Sequence, residues 1–118
     1  MCKQGDIAWV LMADPQGRNH KTRPFVIVSD VDSLPDDSAL VGVAVSSQVP
    51  HPIPTSQVAL PWSLPRHPVT GLCKPSVAIY DWFGSFTKGE IENIRGRVPG
   101  NRMVQIMEHV NRQDAAGS

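Results

Sequence analysis

The chain has 118 residues, enough for one compact domain and too few for two. Hydrophobic residues make up 41% and charged residues 19%, which supports a core and excludes a disordered tail. The 11 Lys and Arg cancel the 11 Asp and Glu. That excludes a polybasic protein holding nucleic acid by bulk charge but leaves room for a local basic patch.

Along the chain, Ile7 to Leu11 is the first short run of apolar residues that predicts a strand. Asp14-Pro15-Gln16-Gly17 is turn chemistry and closes it. Phe25 to Val28 predicts a second strand, Leu34-Pro35-Asp36-Asp37 a second turn, and Leu40 to Val45 a third strand. Seven prolines (Pro50, Pro52, Pro54, Pro61, Pro65, Pro68 and Pro75) follow, so this region reads as loops and short edge strands. Val77 to Tyr80 predicts another strand. Thr87-Lys88-Gly89-Glu90 has capping-box form and predicts a short helix that soon meets Gly96. A second helix is expected from about Pro99-Gly100, where Met103, Ile106, Met107 and Val110 fall on one apolar face. From Asn111 to Ser118 the periodicity is lost and the tail should fray. The whole reads as one mainly β domain over residues 1–118, a small, strongly bent antiparallel sheet or barrel with appended helices.

Several chemistries drop out. Cys2 and Cys73 make no disulfide framework, and His20, His51, His67 and His109 lack ligand spacing, so neither metal nor cofactor is expected. Cys73 reads as a small structural hydrophobe rather than a nucleophile. No glycine loop for phosphate and no nucleophile elbow occurs. The apolar runs are far shorter than a membrane span and no signal peptide is evident, so a cytoplasmic protein without membrane contact is expected.

The neutral total hides segregation. Arg18, His20, Lys21 and Arg23 cluster without an acid, and Ser38 to Tyr80 holds no Asp or Glu at all. Sparse charge in proline-rich loops accounts for this as well as a surface kept clear for a polyanion does. In Thr22-Arg23-Pro24, proline holds Arg23 extended at the mouth of a strand, suited to bidentate contact with a phosphate. A plain surface arginine at a strand end is the competing reading.

Gly5-Asp6-Ile7-Ala8-Trp9-Val10, Asp14-Pro15 and Lys21-Thr22-Arg23-Pro24-Phe25-Val26-Ile27-Val28-Ser29 together resemble the opening of the MazF/PemK toxin family. Val43-Ala44-Val45-Ser46-Ser47-Gln48, Thr70-Gly71-Leu72-Cys73-Lys74-Pro75-Ser76-Val77, Ser85-Phe86-Thr87-Lys88 and Gly96-Arg97-Val98-Pro99 continue the likeness in order. It covers roughly residues 5 to 110. The resemblance implies an SH3-like barrel of the CcdB/Kid/MazF type, usually a homodimer with a cognate antitoxin. The implied activity is metal-independent, sequence-selective cleavage of single-stranded RNA.

The family's arginine before proline corresponds to Arg23 and its third-strand threonine to Ser46; in one branch a late acid corresponds to Asp81 and a histidine approximately to His20. Arg23, Ser46, Asp81 and His20 are therefore the expected catalytic set. Arg18, Lys21, Ser47, Gln48 and Trp82 are the expected RNA contacts. Trp82 could stack on a base or belong to the core. The other readings are a non-catalytic barrel that binds RNA or a protein, and a gyrase-poison-like toxin. The last uses an aromatic near the C-terminus, and Asn111 to Ser118 has none.

Overall fold

Strands this short are stable only as members of a larger sheet. Six of them join in one, β1 (Asp6–Ala13), β2 (His20–Ile27), β3 (Leu40–Ser46), β4 (Gln57–Leu60), β5 (Ser76–Phe86) and β6 (Ile91–Arg97), followed by helix α1 (Gly100–Gly117). The structure, a computed structural model, describes residues 2–13, 20–35 and 38–117, with backbone alone for 12, 13, 20, 21, 81 and 112–117. The strand order is β4-β5-β3-β2-β1-β6, and every pairing is antiparallel.

Alternation along the strands feeds two cores. Ile7, Val26, Val43 and Val45 point to one side and pack with Ile106 and Val110 of α1. Ala8, Phe25, Ile27 and Ala44 point to the other and pack with Leu40 and Phe86. Burial on both faces explains why the strand segments are nearly continuous apolar runs. The expected apolar face of α1 is thus a core face, and a parallel stack of His109 on buried Tyr80, centroids 4.2 Å apart, fixes its orientation on β5.

The sheet bends strongly, yet its edge strands β4 and β6 do not pair, so it is not a closed barrel. The loop after β4 covers the open side instead. Arg97 N–H donates to the Val69 carbonyl at 2.9 Å, and Leu72 of the same loop enters the core. Gly71, at φ +72°, lies so close that an added Cβ would come within 2.6 Å of the Arg95 carbonyl oxygen. Only glycine fits there without strain. The proline-rich stretch otherwise forms loops and the short edge strand β4, as its composition predicts.

Two expectations change. The Glu90 carboxylate does accept the Thr87 N–H and hydroxyl, at 3.0 and 3.1 Å. The expected helix nevertheless stops after one 3-10 turn, Lys88–Glu90, and the chain continues as β6. A helix ending by Gly96 would leave most of its backbone groups unpaired, whereas the free edge of β1 pairs with them. At the other end the backbone of α1 runs through Gly117, past the last apolar position at Val110, where an end to the helix was expected. Gln113, Ala115 and Ala116 favour helix without needing a packed face.

Candidate functional site

The β2–β3 ladder runs from Ile27 opposite Gly42 to Phe25 opposite Ala44 and stops there. The next residue on β2 is Pro24, which has no N–H to donate. Beyond it the strand ends separate, and a cleft of about 300 Å³ opens between them, lined by Arg23, Pro24, Phe25, Ala44 to Gln48 and Trp82. On its other side β2 stays paired with β1, Arg23 opposite the fully buried Val10. The backbone of Arg23 is anchored while its side chain is exposed.

Ser46 ends β3, and its Oγ accepts the N–H of Gln48 at 3.1 Å. This side-chain turn brings Ser47 and Gln48 to the cleft wall and leaves the Ser46 hydroxyl proton to donate elsewhere. The third wall comes from a bulge in β5. Val43 pairs with Phe83, but the next residue, Ala44, pairs with Ile79, so the register steps over Tyr80, Asp81 and Trp82. Bulges re-aim side chains in this way. Trp82 emerges 51% exposed and lines the cleft, so the core reading for it is excluded.

Arg23, Ser46, Ser47, Gln48 and Trp82 therefore meet in one cleft. The backbone of Asp81 lies in the same bulge, and His20 and Lys21 open β2 opposite Ala13 and Met12. The side chains of these three, and all of Arg18, lie outside the described residues. Cys73, expected as a small structural hydrophobe rather than a nucleophile, is exposed. One carboxylate was missed: Glu92 of β6 accepts the Thr22 hydroxyl at 2.7 Å, next to Arg23 in the chain. Nothing in the sequence pointed to it, because its segment read as helix. No three His, Cys, Asp or Glu among the described residues form a group that could hold a metal ion. No helix among them is long and apolar enough to cross a membrane.

Solved structures share this architecture. An endoribonuclease from mycobacterial species superposes with a TM-score of 0.67 at 18% identity, over 97% of this chain and 91% of its own. A MazE–MazF complex from Deinococcus radiodurans gives 0.73 at 14%, over 97% and 96%. A mycobacterial endoribonuclease in complex with its cognate antitoxin gives 0.66 at 18%, over 95% and 96%. At such identities the likeness is one of fold, a bent β sheet with a C-terminal helix of the MazF type. Among curated proteins none matches. The family model for the PemK-like, MazF-like toxin of type II toxin-antitoxin systems matches residues 3–113, and the chain belongs to that family.

Proposed function

We propose that this toxin is an endoribonuclease that cuts single-stranded RNA in the Arg23 cleft without a metal ion. The observation that carries the reading is the break in the β2–β3 ladder, where a guanidinium, two serine hydroxyls, an amide and an indole line one cleft that no described carboxylate lines. RNA brings its own nucleophile. Its 2′-oxygen attacks the adjacent phosphorus, the bond to the 5′-oxygen breaks, and a 2′,3′-cyclic phosphate remains. The protein must take the 2′-hydroxyl proton, return one to the leaving oxygen, and stabilise the charge that builds on phosphorus.

Arg23 supplies that charge and is suited to protonate the leaving group. The Ser46 hydroxyl, oriented by the Gln48 N–H, donates to a phosphate oxygen. Asp81 or His20 is the base. Trp82 offers a stacking face, and Arg18, Lys21, Ser47 and Gln48 hold the neighbouring nucleotides. The structural likeness to an endoribonuclease and to antitoxin-bound relatives supports this reading and a cognate antitoxin. Membership of the family adds a homodimer, which a monomeric mass in light scattering would remove.

The test is incubation with long RNA in EDTA and mapping of the ends. Cleavage should persist, leave 2′,3′-cyclic ends, and fail on RNA carrying one 2′-deoxy sugar at the cut. Loss of cleavage on chelation, or equal cutting of the deoxy substrate, overturns the mechanism.

A further inference from the structure

A second cleft, of about 260 Å³, adjoins the first and shares Pro24, Val45 and Ser47 with it. Alternation along the strands puts Arg23, Phe25, Ala44 and Ser46 on one side of the separated ends and Pro24 and Val45 on the other. The two clefts thus adjoin along one wall, formed by Pro24, Val45 and Ser47. Trp9 lies opposite Pro24 in the β1–β2 register and extends the second cleft toward β6. There Arg95 lays its guanidinium over the Trp9 ring, 5.2 Å from the centroid. The loop clamped on β6 by Gly71 brings Leu72, Cys73 and Lys74 to the far wall.

The composition of this cleft is that of a nucleotide site. Trp9, Pro24, Val45 and Leu72 give flat or apolar walls for a base, and the Ser47 and Ser76 hydroxyls give polar contacts. The cations Lys74 and Arg95 lie at the wall, and no described carboxylate lines it. Stacking on Trp9 covers one face of the Arg95 guanidinium and leaves its N–H edge to a phosphate. We propose that this cleft binds the nucleotide next to the scissile one. Its base rests among Trp9, Pro24 and Leu72, its phosphate is held by Lys74 and Arg95, and the RNA crosses the strand ends at Ser47. This rests on the endoribonuclease reading of the first cleft. It assigns Trp9, Lys74 and Arg95 to substrate selection, since a base held here contributes to which sequence is cut.

The experiment uses the full chain and uncleavable oligoribonucleotides built from the mapped cut sequence, with a 2′-deoxy sugar at the cut and lengthened one nucleotide at a time on each side. On one side the wild type should gain affinity at the first added nucleotide. In Lys74→Gln/Arg95→Gln that gain should fall ~10-fold, as for a lost charge-assisted hydrogen bond. The salt slope should flatten by roughly 0.7 for each cation that meets a phosphate. Both side chains are exposed, and an unchanged melting curve verifies the fold.

A second readout needs no variant. Cys73 is exposed on the cleft wall and Cys2 is half-buried elsewhere, so RNA that fills the second cleft should slow maleimide alkylation of Cys73 and leave Cys2 unaffected. Shorter RNA should not. An unaltered affinity gain in the double variant together with an unprotected Cys73 overturns the assignment while cleavage in the first cleft stands. A wild type that neither binds nor cuts RNA removes both.

Discussion

Pro24 does two things at once. Its missing N–H ends the β2–β3 ladder, and its ring keeps Arg23 extended, so the same residue opens the cleft and aims the cation at its mouth. Arg23 itself is exposed, and its backbone is held by the pairing with Val10 rather than by its side chain. Removing the guanidinium should therefore affect chemistry and not folding. Arg23→Ala is expected to lower the single-turnover cleavage rate by at least ~10²-fold, the usual cost of deleting a transition-state charge donor, with its melting temperature close to wild type. Equal rates would remove Arg23 from the reaction. A large drop in melting temperature would instead make it a structural residue.

At the scale of elements, α1 holds the molecule together from outside the sheet. Ile106 is fully buried in the core cluster that holds Val26, Val43 and Val45, and the helix lies on β4 and β5. Ile106→Ala should cost about 2–5 kcal/mol in a denaturant titration, in line with other buried large-to-small changes. A loss under 1 kcal/mol, ~fivefold in the folding equilibrium, would mean that the helix is dispensable to the fold. The spacing of Met103, Ile106, Met107 and Val110 made this element readable from sequence, because a one-sided helix carries its burial in its period. β6 was not readable. Its Glu92, Asn93, Ile94 and Arg95 are all exposed, so no inside–outside alternation marks them, and its strand form comes from main-chain pairing with β1. The bulge in β5 was equally hidden, because Tyr80-Asp81-Trp82 continues a strand-like run and only the register against β3, which steps from Ile79 to Phe83, reveals it. Arg23 and the Ser46 to Gln48 turn could be found by resemblance. The stacking of Arg95 on Trp9 was not legible in the sequence, since the pairing of β6 that brings them together was itself unread.

Across the whole molecule, charge is distributed so that a neutral chain presents cations to both clefts. Arg23, Lys74 and Arg95 line them, and the stretch from Ser38 to Tyr80, which supplies Ala44 to Gln48 and Gly71 to Ser76, contains no acid. If RNA runs across this surface, a new carboxylate should hurt where the clefts meet and be tolerated elsewhere in the same stretch. Ser47→Asp adds one at the shared wall; Thr55→Asp adds one at an exposed loop residue that lines neither cleft. At Ser47 the anion would lie well within a Debye length of a bound phosphate, roughly 8 Å at physiological salt, so screening gives little relief. Affinity for uncleavable RNA should fall strongly in Ser47→Asp at low salt, and the defect should shrink as salt rises. Thr55→Asp should bind close to wild type, and both should melt near it because both positions are exposed. Two small, equal defects in a salt-dependent titration would mean that the missing acids reflect loop composition alone. Arg23 and its neighbours would then carry the polyanion site without help from the rest of the surface.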